Sequence, residues 1–108
     1  MRPQVILALC LAPAWAVGQE QIGDVAEGHA FARRVCAECH AVERGEVFSP
    51  DERAPPFIEV ATTPGLTPMA LFAWLQTSHP NLPALLLDED EMRDVVAYVL
   101  SLRAPATR

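Results

Sequence analysis

Apolar residues recur at helical spacing in three stretches of the chain, and no stretch alternates apolar and polar residues as a half-buried strand would. The first stretch predicts a helix from Gly23 to about His40. The second predicts a helix that begins at Thr67–Pro68, where a capping hydroxyl precedes a proline at the first helical position. The third predicts a helix that follows Asp88 and ends near Arg103. The pattern therefore predicts a small all-α fold.

Local signals refine the ends of these helices. Asp88, with Glu91 three residues later, has the spacing of a capping box, with a carboxylate in place of the hydroxyl. Arg103 lies where the helix macrodipole favours a cation. The stretch 41–67 is rich in proline and glycine, which predicts an irregular segment with one short helical turn over 57–61.

A continuous apolar run precedes the helical pattern. Residues 5–17 follow the cationic Arg2 and lead to the small residue Gly18, and these are the three parts of a secretory signal. A helix of this length covers about 20 Å, which is too short for a bilayer core of about 30 Å. We expect residues 1–18 to be removed and residues 19–108 to form one domain in the periplasm, or otherwise outside the cytoplasm. The alternative interpretation is a buried N-terminal helix.

Composition limits the partners and the means of stabilising the fold. The 108 residues carry a formal net charge of −6 and include no lysine, and loss of Arg2 makes the chain one charge more negative. Nucleic acid is excluded as a partner because phosphate neutralisation requires a basic face. A chain this short often needs a disulfide, metal or cofactor to stabilise its core. Once Cys10 is removed, Cys36 and Cys39 are too few for a disulfide scaffold.

The run from Cys36 to His40 carries the strongest chemical signal. Two thiols three residues apart on a helical turn face the same way, so both can add to the vinyl groups of one haem while His40 reaches the iron. A thioredoxin-like redox pair would need a preceding strand and a larger α/β fold. A zinc site would need two more ligands, for which His29 and His79 are available. Export of the chain favours haem attachment over both alternatives.

With this motif, the chain resembles the small bacterial class I c-type cytochromes over nearly all of residues 19–108. Residues 23–25 and Gly28 stand upstream of the motif at the family's spacing, and residues 94–99 resemble its C-terminal helix. The resemblance implies a cytochrome c-like fold, with about three to four helices around one covalently bound haem. It also implies a close crossing of the first and last helices, which Gly28 would permit and near which Tyr98 would pack.

The resemblance also implies roles for the residues of the site. Cys36 and Cys39 would hold haem c covalently, and His40 would be an axial ligand of its iron. In the family, a proline carbonyl accepts a hydrogen bond from this histidine, which fixes its tautomer and raises its donor strength. Either Pro55 or Pro56 can fill that role here.

The second axial ligand departs from the family pattern. The family uses a methionine in a proline-flanked loop before the last helix, and the matching loop over 79–87 has Leu82 at that position. Leucine has no lone pair and cannot bind iron. Met69 is expected to pack in the core, the usual fate of methionine at a helix start. Trp74 is equally suited to pack there and to donate to a haem propionate. Either the distal site has no protein ligand and is capped by Leu82, or the sixth ligand is His79, Met69, Met92, Asn81 or water.

The resemblance implies a periplasmic electron carrier that serves an unidentified redox partner protein, rather than a catalyst acting alone. The carboxylates are scattered or cap helices and offer no acid–base site. Two alternatives stay open: a five-coordinate haem protein that binds or senses a small gas, which Leu82 suggests, and a haem subunit of a larger oxidoreductase. Without lysines, the docking face must be apolar or match a positive partner, with Glu38 and residues 88–91 as candidates for an acidic rim.

Overall fold

The computed structural model describes residues 22–77, 79 and 87–103, together with Pro3, Gln4 and Ala8. This part of the chain is helical and contains no strand. Its α-helices, in chain order, are α1 Val25–Val35, α2 Phe57–Ala61, α3 Pro68–Thr77 and α4 Glu89–Ser101. The all-α prediction is confirmed, and so is the short helical turn within the proline-rich segment.

The first helix is shorter at both ends than the apolar pattern predicted. Asp24 has an extended backbone, and its carboxylate accepts a hydrogen bond of 3.0 Å from the Glu27 amide, so that α1 begins at Val25. After Val35 the chain tightens into a 3₁₀ turn over Cys36–Glu38. Apolar spacing does not distinguish these two helix types, because it fixes which side is buried and not how tightly the backbone winds.

The predicted start signals of α3 and α4 are confirmed. The Thr67 hydroxyl accepts a hydrogen bond of 3.1 Å from the Ala70 amide. The Asp88 carboxylate accepts one of 2.8 Å from the Glu91 amide, and the Glu91 carboxylate accepts one of 3.1 Å from the Asp88 amide. Both directions of the capping box are therefore formed.

Arg103 does not lie in the last turn of α4, as predicted, but two residues beyond its end. Its guanidinium donates hydrogen bonds of 2.6 Å to the carbonyl oxygens of Ala61 and Leu66. These carbonyls belong to the C-terminal end of α2 and to the segment before α3. The cation therefore ties the end of α4 to its neighbours instead of complementing the dipole of its own helix.

The close crossing of α1 and α4 depends on glycine, as expected. A Cβ built at Gly28 would lie 1.9 Å from the Asp94 carbonyl oxygen and 2.9 Å from the Cβ of Tyr98. A Cβ at Gly23 would lie 2.4 Å from the Arg93 carbonyl. Any larger residue at either position would force the two backbones apart.

The core lies between α4 and the three other helices. Met92 is buried on α4, as its spacing predicted, whereas Met69 is 81% exposed, so the expectation that Met69 packs in the core was wrong. Trp74 is 56% exposed, which does not agree with core packing, one of the two roles considered for it. Leu71 is the residue that α3 buries, and Met69 lies two positions away, on the opposite side of the helix. The residues of the core cluster are Phe31, Ala32, Val42, Phe57, Ala61, Leu71, Val95, Val96, Tyr98, Val99 and Leu102.

Three sequence predictions fall outside the described part of the chain. The proposed signal segment lies there, apart from its three described residues, as does Leu82 with most of the 79–87 loop. None of the described helices has the length and the hydropathy that a bilayer span requires.

Candidate haem-binding site

Cys36 begins the 3₁₀ turn that continues α1, and Cys39 follows directly after that turn. Neither is joined in a disulfide, and Cys36 is partly buried while Cys39 is exposed. The Cys39 amide donates a hydrogen bond of 3.1 Å to the Cys36 carbonyl. Because side chains three residues apart on a 3₁₀ turn are eclipsed, the two sulfurs are presented on one side of the chain. This is the arrangement that two bonds to one planar group require.

The environment of Cys36 does not suit a redox-active dithiol. Burial raises the pKa of its thiol to about 11, so that the group is protonated at neutral pH. A thioredoxin-type pair depends on a thiolate of lowered pKa. Among the described residues, no three His, Cys, Asp or Glu side chains are grouped so as to hold a metal ion, and the zinc alternative has no geometry to support it there.

His40 is oriented by the backbone of the proline-rich segment. Its Nδ1 lies 2.7 Å from the Pro55 carbonyl oxygen, which identifies Pro55 rather than Pro56 as the partner. A carbonyl only accepts, so Nδ1 carries the proton and the lone pair of Nε2 is left for a metal. The ring of Phe57 lies 5.3 Å from that of His40, centre to centre, and is tilted against it.

Backbone hydrogen bonds hold the Pro55 carbonyl in place. The Asp51 amide donates to the Cys39 carbonyl at 3.1 Å, and the Phe57 amide donates to the Ala41 carbonyl at 2.8 Å. The Ala41 amide in turn donates to the Ser49 hydroxyl at 3.0 Å. The segment after the motif is therefore folded back on the motif, and the orientation of the imidazole is built into the backbone.

A second imidazole lies beside the first. The ring centres of His79 and His40 are 6.2 Å apart, with 60° between the ring planes. The Nδ1 of His79 is buried and has no hydrogen-bond partner among the residues that the structure describes. Burial, and then the proximity of His40, lower the pKa of His79. Two residues after the end of α3, His79 therefore presents a neutral imidazole with a nitrogen that has no hydrogen-bond partner among the described residues.

The outer side of α3 is apolar and uncovered. The helix carries no charged residue, and helices that are apolar on all sides are normally buried on all sides. Here Leu71 faces the core, while Met69 and Trp74 are largely exposed. The thiols and the oriented imidazole together fit a haem.

A network that no sequence pattern indicated connects the motif segment to the two crossing helices. His29, on α1, donates to the Glu43 carboxylate at 2.8 Å and stacks on the ring of Tyr98 at 4.5 Å. The Tyr98 hydroxyl donates to the Val42 carbonyl at 2.6 Å. No local spacing could have revealed these contacts, because His29 and Glu43 are 14 positions apart, and Tyr98 and Val42 are 56 apart.

Comparison with known proteins finds a relative of clear similarity. The chain is 33% identical over 97 residues to the cytochrome c-552 of Bradyrhizobium diazoefficiens, a match that covers 90% of this chain and 92% of that protein. No family model matches the chain, and no solved structure matches it. The match covers nearly the full length of both proteins, and it agrees with the geometry of the cysteines and the histidine described above. The chain belongs to the small bacterial c-type cytochromes, electron carriers with covalently bound haem c.

Proposed function

We propose that this protein is a periplasmic electron carrier whose haem c is held by Cys36 and Cys39 and ligated by His40. The observation that carries the proposal is the 2.7 Å contact between the Nδ1 of His40 and the Pro55 carbonyl oxygen. That contact leaves Nε2 as the metal-binding nitrogen, one residue after the second of two thiols on the same turn.

Cys36 and Cys39 would hold the cofactor by two thioether bonds from neighbouring backbone positions. Each thiol would add across one vinyl group, with a carbon–sulfur bond formed and the thiol hydrogen passed to the other vinyl carbon, without net oxidation. Two such bonds would prevent the porphyrin from rotating or dissociating. The link from Cys36 starts from a partly buried side chain, and the link from Cys39 starts at the surface.

His40 tunes the bound iron through its partner. When bound, the haem iron supplies the one-electron couple of the protein. The hydrogen bond to the Pro55 carbonyl holds the imidazole in one tautomer and makes it a stronger donor. Since hydrogen bonds hold the segment that carries this carbonyl, the imidazole of His40 would keep one orientation toward a bound iron.

The N-terminal segment supports the periplasmic location that we propose. Residues 1–18 have the cationic start, apolar run and small-residue exit of a secretory signal, which leaves residues 19–108 as the cytochrome domain. The acidic charge and the absence of lysine favour a redox partner protein with a basic or apolar docking face.

Substitution of the cysteines tests the attachment. In a host that matures c-type cytochromes, the exported protein should keep its pigment through acid–acetone extraction. Its mass should correspond to residues 19–108 plus one haem. We expect Cys36→Ala and Cys39→Ala each to leave one thioether, and the double variant to lose covalent haem. Cys10→Ala, a matched change in the proposed signal, should leave the haem content unchanged. Full haem retention by the double variant would contradict the assignment.

The alternative function, gas binding by five-coordinate haem, is favoured by Leu82 at the position of the usual methionine. Carbon monoxide separates the two functions, since an iron with two strong axial ligands does not bind the gas and an iron with an open position does. A carbon monoxide complex that forms readily with the reduced wild-type protein would favour the alternative.

A further inference from the structure

The second axial ligand of the iron is the open question of this site. The loop position that supplies methionine in the family is occupied here by Leu82, which has no lone pair. Side chains elsewhere in the described part of the chain must be compared by their placement. Met92 is buried on α4, and Met69 is 81% exposed at the start of α3. His79, by contrast, lies beside the ring of His40.

The separation of the two rings fits a single atom between them. A direct hydrogen bond of about 2.9 Å between two imidazole nitrogens would put the ring centres about 5 Å apart. Two axial metal–nitrogen bonds of about 2 Å, each extended by about 1 Å to the ring centre, put the centres about 6 Å apart. The observed distance between the ring centres of His40 and His79 is 6.2 Å. The gap is therefore too wide for a hydrogen bond and matches one shared metal atom.

The orientation of the rings agrees with this. The planes of His40 and His79 are inclined by 60°, so that the two rings are not stacked on each other. Two axial imidazoles need only stand upright on the porphyrin, and their planes can adopt any angle about the axis. His79 also keeps a buried nitrogen with no partner among the described residues. A buried imidazole nitrogen without a partner costs free energy that a ligand can recover.

We propose that His79 is the sixth ligand, so that the haem c of this protein has two axial histidines, His40 and His79. This inference rests on the proposed attachment of haem at Cys36 and Cys39. Its consequence is a low-spin iron with the same ligands in both oxidation states. Such an iron transfers electrons without ligand exchange and leaves no position for a gas. Its potential lies below that of a histidine–methionine haem, because methionine ligation raises the potential.

Spectra of the full-length holoprotein test the ligand directly. The wild-type protein should be low-spin when oxidised and when reduced. It should lack the weak red-edge absorption band of methionine-ligated ferric haem, and it should not bind carbon monoxide. His79→Ala should become high-spin and bind carbon monoxide, and added free imidazole should restore the low-spin spectrum. His79→Met should gain the red-edge band and show a higher midpoint potential.

Met69→Ala is the matched control, since Met69 is the competing ligand and its side chain is exposed. It should leave every spectrum unchanged. A high-spin wild-type protein, a red-edge band that Met69→Ala abolishes, or a low-spin His79→Ala without added imidazole would each overturn the inference. If His79→Ala does not fold, the spectra of the wild-type protein and of His79→Met still show whether residue 79 supplies the sixth ligand. The pyridine haemochrome of the same samples measures covalent haem independently, and its absence would overturn the proposed attachment instead.

Discussion

At the residue scale, the orientation of His40 is set by atoms distant in the sequence. Its partner, the Pro55 carbonyl, lies 15 positions away. The segment that carries this carbonyl is held by the Asp51 amide, which donates to Cys39, and by the Phe57 amide, which donates to Ala41. The motif predicts which side chain binds the metal, but it cannot predict which proline orients it. Pro55 and Pro56 are equivalent in any local pattern, and only the path of the backbone between them and the motif distinguishes the two carbonyls.

Tyr98 gives a prediction at the same scale. Its hydroxyl donates to the Val42 carbonyl within the core, so Tyr98→Phe leaves a buried acceptor without a partner. We expect the free energy of unfolding of the holoprotein to fall by about 1–2 kcal/mol. Urea titration followed by circular dichroism at neutral pH measures this change, and an unchanged midpoint would show that the hydrogen bond contributes nothing.

The same residue gives a pH dependence of known sign. Burial, and then the Glu43 carboxylate, raise the pKa of Tyr98 above its ordinary value of 10.0. The folded state therefore favours the protonated phenol. Its contribution to stability is complete below pH 10 and is lost as the pH rises through the folded-state value. The phenylalanine variant should lose less stability than the wild type between neutral and strongly alkaline pH.

At the element scale, the close packing of α1 against α4 depends on the absence of a Cβ atom at Gly28. Gly28→Ala places a methyl group against the backbone of Asp94, where neither helix can yield without separating. We expect a loss of about 3 kcal/mol or more in the free energy of unfolding. Gly45→Ala is the matched control, because a Cβ there meets nothing within 4 Å, and it should change stability by less than about 0.5 kcal/mol. Equal thermal midpoints of the two variants would contradict the close crossing.

The sequence predicted the existence of the helices better than their packing. Local chemistry set the start of α4, because Asp88 and Glu91 satisfy each other's backbone groups whatever surrounds them. Met69 was misassigned to the core since apolar character is symmetrical around α3, and only the position of the neighbouring helices shows that Leu71 faces inward. Arg103 was assigned to its own helix because its partners, on α2 and before α3, are visible only in the folded chain.

At the scale of the whole molecule, charge governs encounters. The chain has a formal net charge of −6 and no lysine, so a cationic redox partner is attracted and an anionic one is repelled. Oxidation of the reduced protein by a small cationic metal complex should slow several-fold as the ionic strength rises from about 0.01 M to about 0.1 M, since the screening length falls from about 30 Å to about 10 Å. Oxidation by an anionic complex should become faster over the same range of ionic strength. Stopped-flow measurements with both complexes test this, and identical salt dependence would contradict it.

The exposed apolar side of α3 affects how readily the protein aggregates and is degraded in the cell. Met69 and Trp74 lie largely exposed on a helix that carries no charged residue. Exposed apolar surface of this kind promotes aggregation and proteolysis. Replacement of the exposed Met69 by a charged residue should therefore make the protein less prone to aggregate and slower to be degraded.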